Sequence, residues 1–223
     1  KTKDIRDNDR RLDLANIYSL NRIGDDDNVE EGASLTYGFE YIKSNKSNRE
    51  ILEANLANVL RVDENENLPN QSSLDDKTSD IVGSLTYSPN EILKFNYDFS
   101  LDNNLNDTNY QLINSEFKVN NFITSFEYLN ENKTKSGSTY ITNKTSYDLD
   151  ESNNLIFEVR ENKKTGLTEF YNLIYQYKND CLKAAIEYNK DYYDDGELKP
   201  QENIFFKLTI IPFGETSTTN LLR

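Results

Sequence analysis

The sequence predicts an all-β fold: the C-terminal part, about 11 to 12 strands, of an antiparallel transmembrane β-barrel. Three observations carry this prediction. Apolar residues recur with a period of two, the repeating segments are about as long as a tilted strand needs to cross a bilayer, and the connections alternate between short and long.

The period comes first. Ala33, Leu35, Tyr37, Phe39 and Tyr41 alternate with Ser34, Thr36, Gly38 and Glu40. Leu93, Phe95, Tyr97, Phe99 and Leu101 alternate with Lys94, Asn96, Asp98 and Ser100. Further sets follow at Thr139, Ile141, Thr145, Tyr147 and Leu149, then at Leu155, Phe157 and Val159. The last two are Leu182, Ala184, Ile186, Tyr188 and Tyr192, and Ile204, Phe206, Leu208 and Ile210. Side chains on a strand point alternately to opposite faces, so each set makes one apolar side of a sheet. The segments start near Ala33, Arg49, Asp80, Glu91, Thr108, Asn121, Ser138, Asn153, Gly166, Cys181 and Glu202. Arg11 to Ile23 reads either as a further strand or as part of a loop.

The connections divide into two kinds. Ser88-Pro89-Asn90, Asn120-Asn121, Asp150 to Asn153 and Asn179-Asp180 are tight polar turns. Arg61 to Ser79, Asp102 to Asp107, Asn130 to Gly137 and Tyr193 to Gln201 are longer. Short periplasmic turns and longer extracellular loops are the habit of outer-membrane barrels, whereas a soluble sandwich has no reason for the alternation. With a periplasmic C-terminus, the turn at Asn179-Asp180 is periplasmic. Arg61 to Ser79, rich in Asp, Glu and Asn, is then an extracellular and mobile loop. One domain spans 1–223, with a loop or partial strand at 1–32, strands at 33–211 and a tail at 212–223. A partial barrel leaves sheet edges whose unpaired backbone groups are costly in lipid, so further strands are expected before Lys1.

Composition is compatible with this and excludes other classes. The 223 residues carry 39 acidic and 25 basic side chains, a net charge of -14, which argues against nucleic acid. Mean hydropathy is -0.82, and no run of apolar residues is long enough for a membrane helix, yet a barrel strand needs apolar residues only at alternate positions. There is no His, so the usual Ser-His and Cys-His nucleophiles are excluded, and nothing marks an enzyme, a metal site or a cofactor. Asp25 to Asn28 with Glu30-Glu31 lacks the spacing of a calcium loop and reads as a solvated acidic loop, with a divalent cation bridging to phosphates as the alternative. Tyr171, Tyr175, Tyr177, Tyr188, Tyr192 and Tyr193 fit an interfacial girdle or ordinary cross-strand packing.

Two stretches resemble the lipopolysaccharide-assembly family LptD. The first is Asn16-Ile-Tyr-Ser-Leu-Asn-Arg-Ile-Gly24, followed by Glu30-Glu-Gly-Ala33 and Leu35-Thr-Tyr-Gly-Phe-Glu-Tyr41. The family carries a similar run, with an Asn-Arg pair (here Asn21-Arg22), a Gly (Gly24), an Asp-Arg pair, and Glu-x-Gly (ending at Gly32). Asp27-Asn28 stands where the family has Asp-Arg, which puts the role of that arginine in doubt. The second is Asn179-Asp-Cys-Leu-Lys-Ala-Ala-Ile-Glu-Tyr188, then Asp191-Tyr-Tyr193, Pro200 and Ile204-Phe-Phe-Lys-Leu-Thr-Ile-Ile-Pro-Phe-Gly214. It is similar to the family's closing hairpin.

The resemblance implies a barrel of about 26 strands in the outer membrane of a Gram-negative bacterium, with a periplasmic N-terminal domain outside this sequence that meets the periplasmic lipopolysaccharide bridge. It implies an LptE-like lipoprotein plug as partner. It also implies insertion of lipopolysaccharide into the outer leaflet through a lateral gate between the first and last strands. Asn203, Ile204, Phe205, Phe206, Lys207, Leu208, Thr209, Ile210, Ile211 and Pro212 would then form one side of that gate. Ile204, Phe206, Leu208 and Ile210 would face lipid, and Asn203, Phe205, Lys207 and Thr209 the lumen. Pro212 reads as the strand's terminator or as a limit to pairing at the seam. Family cysteines at this hairpin form disulfides to the N-terminal region. Asp180 precedes the single Cys181, so at most one such bridge is available, and a free cysteine is the alternative. A passive porin is the competing function that the strand pattern alone does not exclude.

Overall fold

The computed structural model describes residues 10–24, 30–132, 137–192 and 200–210. Among them run eleven strands and one turn of 3-10 helix at Asn70–Ser72. The strands are β1 (Ser34–Ser44), β2 (Glu50–Arg61), β3 (Ile81–Tyr87), β4 (Leu93–Leu101), β5 (Thr108–Val119) and β6 (Phe122–Glu131). They continue with β7 (Ser138–Asp148), β8 (Asn153–Asn162), β9 (Leu167–Lys178), β10 (Leu182–Asp191) and β11 (Gln201–Ile210). Every start lies within two residues of the position that the apolar period assigns. Each strand pairs its sequence neighbours in the order β1 through β11, and the ladders β1–β2, β2–β3, β3–β4, β7–β8, β8–β9, β9–β10 and β10–β11 are antiparallel. Among the described residues no ladder joins β1 to β11, so the sheet is an all-β antiparallel one that is not closed.

The short turns have a common chemistry. Asn45 Oδ1 accepts from the amides of Ser47 and Arg49 at 2.9 and 3.0 Å. Asn90 Oδ1 accepts from Ile92 and Leu93, both at 2.9 Å. Asp150 Oδ1 accepts from Ser152 and Asn153 at 2.8 and 2.9 Å, and Asn179 Oδ1 from Cys181 and Leu182 at 3.0 and 2.8 Å. A side-chain oxygen two to four residues back replaces the missing backbone acceptor and closes the turn. The Asn120-Asn121 turn instead places Asn120 in the left-handed region, φ 51°. At the other strand ends, Lys163 to Gly166 makes a four-residue connection between β8 and β9, so that end also contains one short link.

The chain forms two compact units, Lys1–Asn114 with Tyr128–Thr139, and Ser115–Glu127 with Tyr140–Arg223. In the first, one row of cross-strand partners runs Gly38, Ala57, Val82, Ser100 on one face, and the adjacent row runs Phe39, Leu56, Gly83, Phe99 on the other. The second face leaves Leu35, Tyr37 and Phe39 exposed. The first face is covered. Leu12, Ile17 and Ile23 from the segment before β1, and Leu68 and Leu74 from the β2–β3 connection, bury themselves against Ala57, Val59 and Val82.

That connection departs from the expectation of a mobile loop. Ser72, Ser73, Leu74 and Ser79 are buried, Val59 N–H donates to Ser79 Oγ at 3.0 Å, and Ser79 N–H returns a bond to the Val59 carbonyl at 2.9 Å. Its polar composition is spent on internal hydrogen bonds, while its two leucines reach the core.

In the second unit the two faces differ in polarity, although Ile156, Ile174 and Phe205 lie on the more polar one. Tyr147, Leu155, Tyr175, Ile186 and Phe206 form one apolar row, flanked by Thr145, Phe157, Leu173, Tyr188 and Ile204. Phe206 is 78% exposed and Ile204 66%. Soluble monomers rarely present so extended an apolar face to water, whereas lipid covers it without cost. The opposite face carries Lys144, Glu158, Asn172, Asn189 and Asn203 in one row.

Candidate functional site

Two regions hold the residues that the sequence singles out, and each lies within one unit. The first is the segment before β1. Its buried apolar residues 12, 17 and 23 are five and six apart, a spacing that fits neither a strand nor a helix, and it forms a turn-rich strap instead. Asp13 Oδ1 accepts from the Ala15 and Asn16 amides at 2.9 and 3.0 Å, and Asn16 Oδ1 accepts from Asp13 N–H at 3.0 Å. This reciprocal pair reverses the chain and points Leu12 and Ile17 at the sheet. The open alternative between strand and loop resolves to a loop.

The strap is seated by several contacts. Thr36 Oγ1 donates to the Ile17 carbonyl at 3.3 Å. Tyr18 reaches Gly38, where a Cβ would stand 2.0 Å from the phenol oxygen and 2.8 Å from the Leu56 carbonyl oxygen, so no larger residue fits there. Arg11 lies 3.5 Å over the Tyr110 ring and pairs with Glu131 at 3.0 Å.

The motif residues make the strap's far end. Asn21 Oδ1 accepts from Gly24 N–H at 2.9 Å, and Gly24 has φ +70° with the Arg10 guanidinium where its Cβ would be. Arg22 donates to Ser34 Oγ at 2.9 Å and stands 3.4 Å from Glu30. Arg61, at the end of β2, pairs with the same Glu30 oxygen at 2.5 Å and donates to the Glu31 carbonyl. The Arg61 side chain is 1% exposed and that of Glu30 5%. Gly32 sits at φ +92°, with Arg61 Nη2 3.0 Å from the site of its Cβ. Asn21, Arg22, Gly24 and Gly32 are thus brought together, and Asp27 lies outside the described residues.

Glu30 is a correction to the reading of a solvated acidic loop: two guanidinium groups cover it. Arg61 is the clamp residue that the sequence pattern does not single out. Its signal was an arginine at a strand end on the face of Val59, an apolar position, together with a carboxylate pair before β1. Among the described residues no group of three carboxylates or other metal ligands is assembled.

The second region is the closing hairpin. β10 and β11 pair from Leu182↔Ile210 to Asp191↔Gln201 without a register shift. Ala184↔Leu208, Ile186↔Phe206 and Tyr188↔Ile204 share the apolar face. Lys183↔Thr209, Ala185↔Lys207, Glu187↔Phe205 and Asn189↔Asn203 share the polar one. Lys207 pairs with Glu187, and Lys190 with Glu202. Ile211, Pro212 and Tyr193 lie outside the described residues. Tyr171, Tyr175, Tyr177 and Tyr188 all fall on the apolar face. Tyr171 meets Tyr192 edge-on at 5.8 Å and Phe157 at 6.2 Å. Cys181 is an exposed free thiol in the β9–β10 turn.

In the turn between β7 and β8 the Asp150 carboxyl is held below its ordinary range, first by the Ser152 amide and then by the Asn153 side chain.

Comparison with known proteins gives one clear result. No curated protein matches the chain. The family model described as LptD, LPS transport system D, matches residues 7–194, which takes in the strap, its clamp and β1 through β10 and stops before β11. That match spans well over half of the sequence, and the family consists of outer-membrane proteins of lipopolysaccharide transport and assembly rather than enzymes. The chain belongs to the LptD family.

Proposed function

We propose that this chain is part of the wall of a larger barrel, of about 26 strands, in a Gram-negative outer membrane that releases lipopolysaccharide sideways into the outer leaflet. The observation that carries this reading is β11. It is a strand with one ladder among the described residues, an exposed apolar row at Ile204, Phe206 and Leu208, and a polar row behind it. A last strand that pairs weakly with the first would open a seam, and Asn203 to Pro212 would be its edge. Every backbone group left unpaired in hydrocarbon costs several kcal/mol, so such a seam closes when no cargo holds it open.

An LptE-like lipoprotein inside the lumen would support the wall, and the N-terminal domain would receive cargo from the periplasmic bridge. Cys181, exposed in a turn on the proposed periplasmic side, would be available to a cysteine of that domain. Cross-linking tests the reading. Cysteines placed in turn at Asn203, Phe205 and Lys207 of the full-length protein and alkylated with a benzophenone maleimide should, on irradiation, capture the first barrel strand and, in a fraction of molecules, lipopolysaccharide by insertion into their C–H bonds. A cross-link that locks the seam should block the arrival of lipopolysaccharide at the cell surface. Normal surface lipopolysaccharide in the locked protein would sink the proposal. Non-reducing electrophoresis of the full-length protein should show a mobility change that Cys181→Ser abolishes.

A further inference from the structure

The strap leaves part of the face that it covers open, and the residues there form a site that the clamp does not use. A cavity of about 340 Å³ lies where the strap crosses β1 and β2. Leu14 and Tyr18 of the strap, Gly38 and Glu40 of β1 and Asn55 of β2 line it. Phe39 and Leu56, from the alternate row, complete the lining. Glu40 and Asn55 are direct cross-strand partners, one step along the same face from Gly38 and its partner Ala57. Tyr18 is held at one end, its phenol oxygen against Gly38, yet the residue is 61% exposed. Two residues along a strand is about 7 Å, so Glu40 leaves β1 about that far beyond the point where the phenol meets it. The polar groups opposite the ring are acceptors. Asn55 Nδ2 donates to Glu53 Oε1 at 2.8 Å and to Ser84 Oγ at 3.4 Å, which leaves its Oδ1 for a ligand. Among the described residues Glu40 has no hydrogen-bond or ion-pair partner, and no Lys or Arg lines the cavity.

We infer that Tyr18, Glu40 and Asn55 bind an uncharged sugar ring. A pyranose has an apolar C–H face and a rim of hydroxyl groups, and the cavity offers a partner to each. The Tyr18 ring, beside Leu14, takes the C–H face as a broad apolar surface. The Glu40 carboxylate and Asn55 Oδ1 accept from the hydroxyls, and an O–H bond to a carboxylate is about twice as strong as one to a neutral oxygen. A phosphate or carboxylate ligand is disfavoured, because Glu40 repels it and no cation lines the cavity. An ammonium group would satisfy the ring and Glu40 but fill little of a cavity whose volume is that of a small-molecule site. Under the transport reading on which the inference rests, the ligand is the saccharide part of lipopolysaccharide, met where the strap crosses the sheet.

The test is saturation-transfer NMR on the full-length protein in a detergent without a sugar headgroup. The probe is the oligosaccharide that mild acid releases from lipopolysaccharide, dephosphorylated before use. Saturation should reach its ring C–H protons. Tyr18→Phe should bind it as the native protein does, and Tyr18→Ala should abolish the signal. Glu40→Gln should raise Kd about fivefold, the factor that separates a charge-assisted hydrogen bond from a neutral one. Protection of Ile17 and Ile23 from thermolysin reports whether the strap stays seated in each variant. Glu40→Gln, outside the strap, decides the matter if Tyr18→Ala releases it. Ethanolamine at equal concentration should leave the oligosaccharide bound, and its displacement would show an ammonium site and overturn the sugar assignment. No saturation of the oligosaccharide, or saturation with an unchanged Kd in Glu40→Gln, would overturn the site itself. These outcomes are separate from the transport reading, which stands or falls on surface lipopolysaccharide when the seam is locked.

Discussion

Replacing Arg61 by methionine should release the strap from the sheet. The magnitude follows from the clamp. Arg61 and Glu30 are both nearly inaccessible, and their ion pair measures 2.5 Å. Removing one partner of a buried pair costs about 3–5 kcal/mol, because the other charge stays desolvated without compensation. Two features put this site at the lower end. Arg22 remains 3.4 Å from Glu30, and methionine keeps an apolar stem on the face of Val59. About 3 kcal/mol is a factor of about 150 in the open population of the strap. Thermolysin, which cuts before bulky apolar residues, reads that population directly if opening is fast relative to cleavage. Cuts before Ile17 and Ile23, both buried when the strap is seated, should accelerate by about that factor in full-length protein reconstituted in vesicles. Glu30→Gln should act similarly, because it strands two buried guanidinium groups. The double variant should cost about 2 kcal/mol less than the sum of the singles. A change in cleavage below about threefold for Arg61→Met would refute the reasoning, since the clamp would then hold nothing.

Three further outcomes follow from other sites. Gly38→Val should unseat the strap by driving Tyr18 and the Leu56 carbonyl apart, at about 1–3 kcal/mol, read by the same cleavage; Tyr18→Ala should recover little of this, because the backbone clash at Leu56 remains. Phe206→Lys should cost about 2–4 kcal/mol in a urea titration of the full-length protein refolded into lipid, and Asn203→Lys, opposite the neutral Asn189 on the other face, close to zero; equal costs would contradict the assignment of the two faces. Asp150 titrates with its folded pKa depressed, so its contribution to the β7–β8 turn is present above the unfolded value near 3.9 and is lost as pH falls through the folded value. Hydrogen exchange at the Ser152 and Asn153 amides, corrected for intrinsic rates, should therefore lose protection on acidification below about pH 4, and Asp150→Asn should remove that pH dependence.

The strands were legible in the sequence for a physical reason. A sheet with one face to lipid and one to a polar interior must alternate, and β1, β4, β8, β10 and β11 do so. β2 does not. Leu52, Ala54 and Leu56 lie on the apolar face, yet Ala57 and Val59, on the other, are buried beneath the strap and the β2–β3 connection. A strand apolar on both sides loses its period, and only its length and flanking turns marked it. The connection Val62 to Asp80 was illegible for the converse reason: its composition is that of a solvated loop, and its order comes from contacts with residues far away in the chain. The same holds for the Arg61–Glu30 pair, 31 residues apart, where neither residue announces its partner.

This division between pattern and identity explains why a motif is readable at residues 16–41. Within a strand any apolar residue serves on the outer face, so β5 to β9 are recognisable as strands without carrying a motif. The clamp has no such freedom. Gly24 is held open by the Arg10 guanidinium, Gly32 and Gly38 each meet a side chain where a Cβ would be, and Arg22 and Arg61 converge on one carboxylate. A run of residues whose identities are set by close approach and buried charge reads as a motif, whereas a run set by face alone reads as a period. The strap carries the most identity-constrained positions of the first unit, and they fix an ordered segment against the Ala57, Val59 and Val82 face of the sheet. Under the proposed barrel that face would look into the lumen, and whatever passes along it would pass the strap. Arg61→Met therefore perturbs the interior without touching a strand's pairing, and it separates the strap's role from that of the wall.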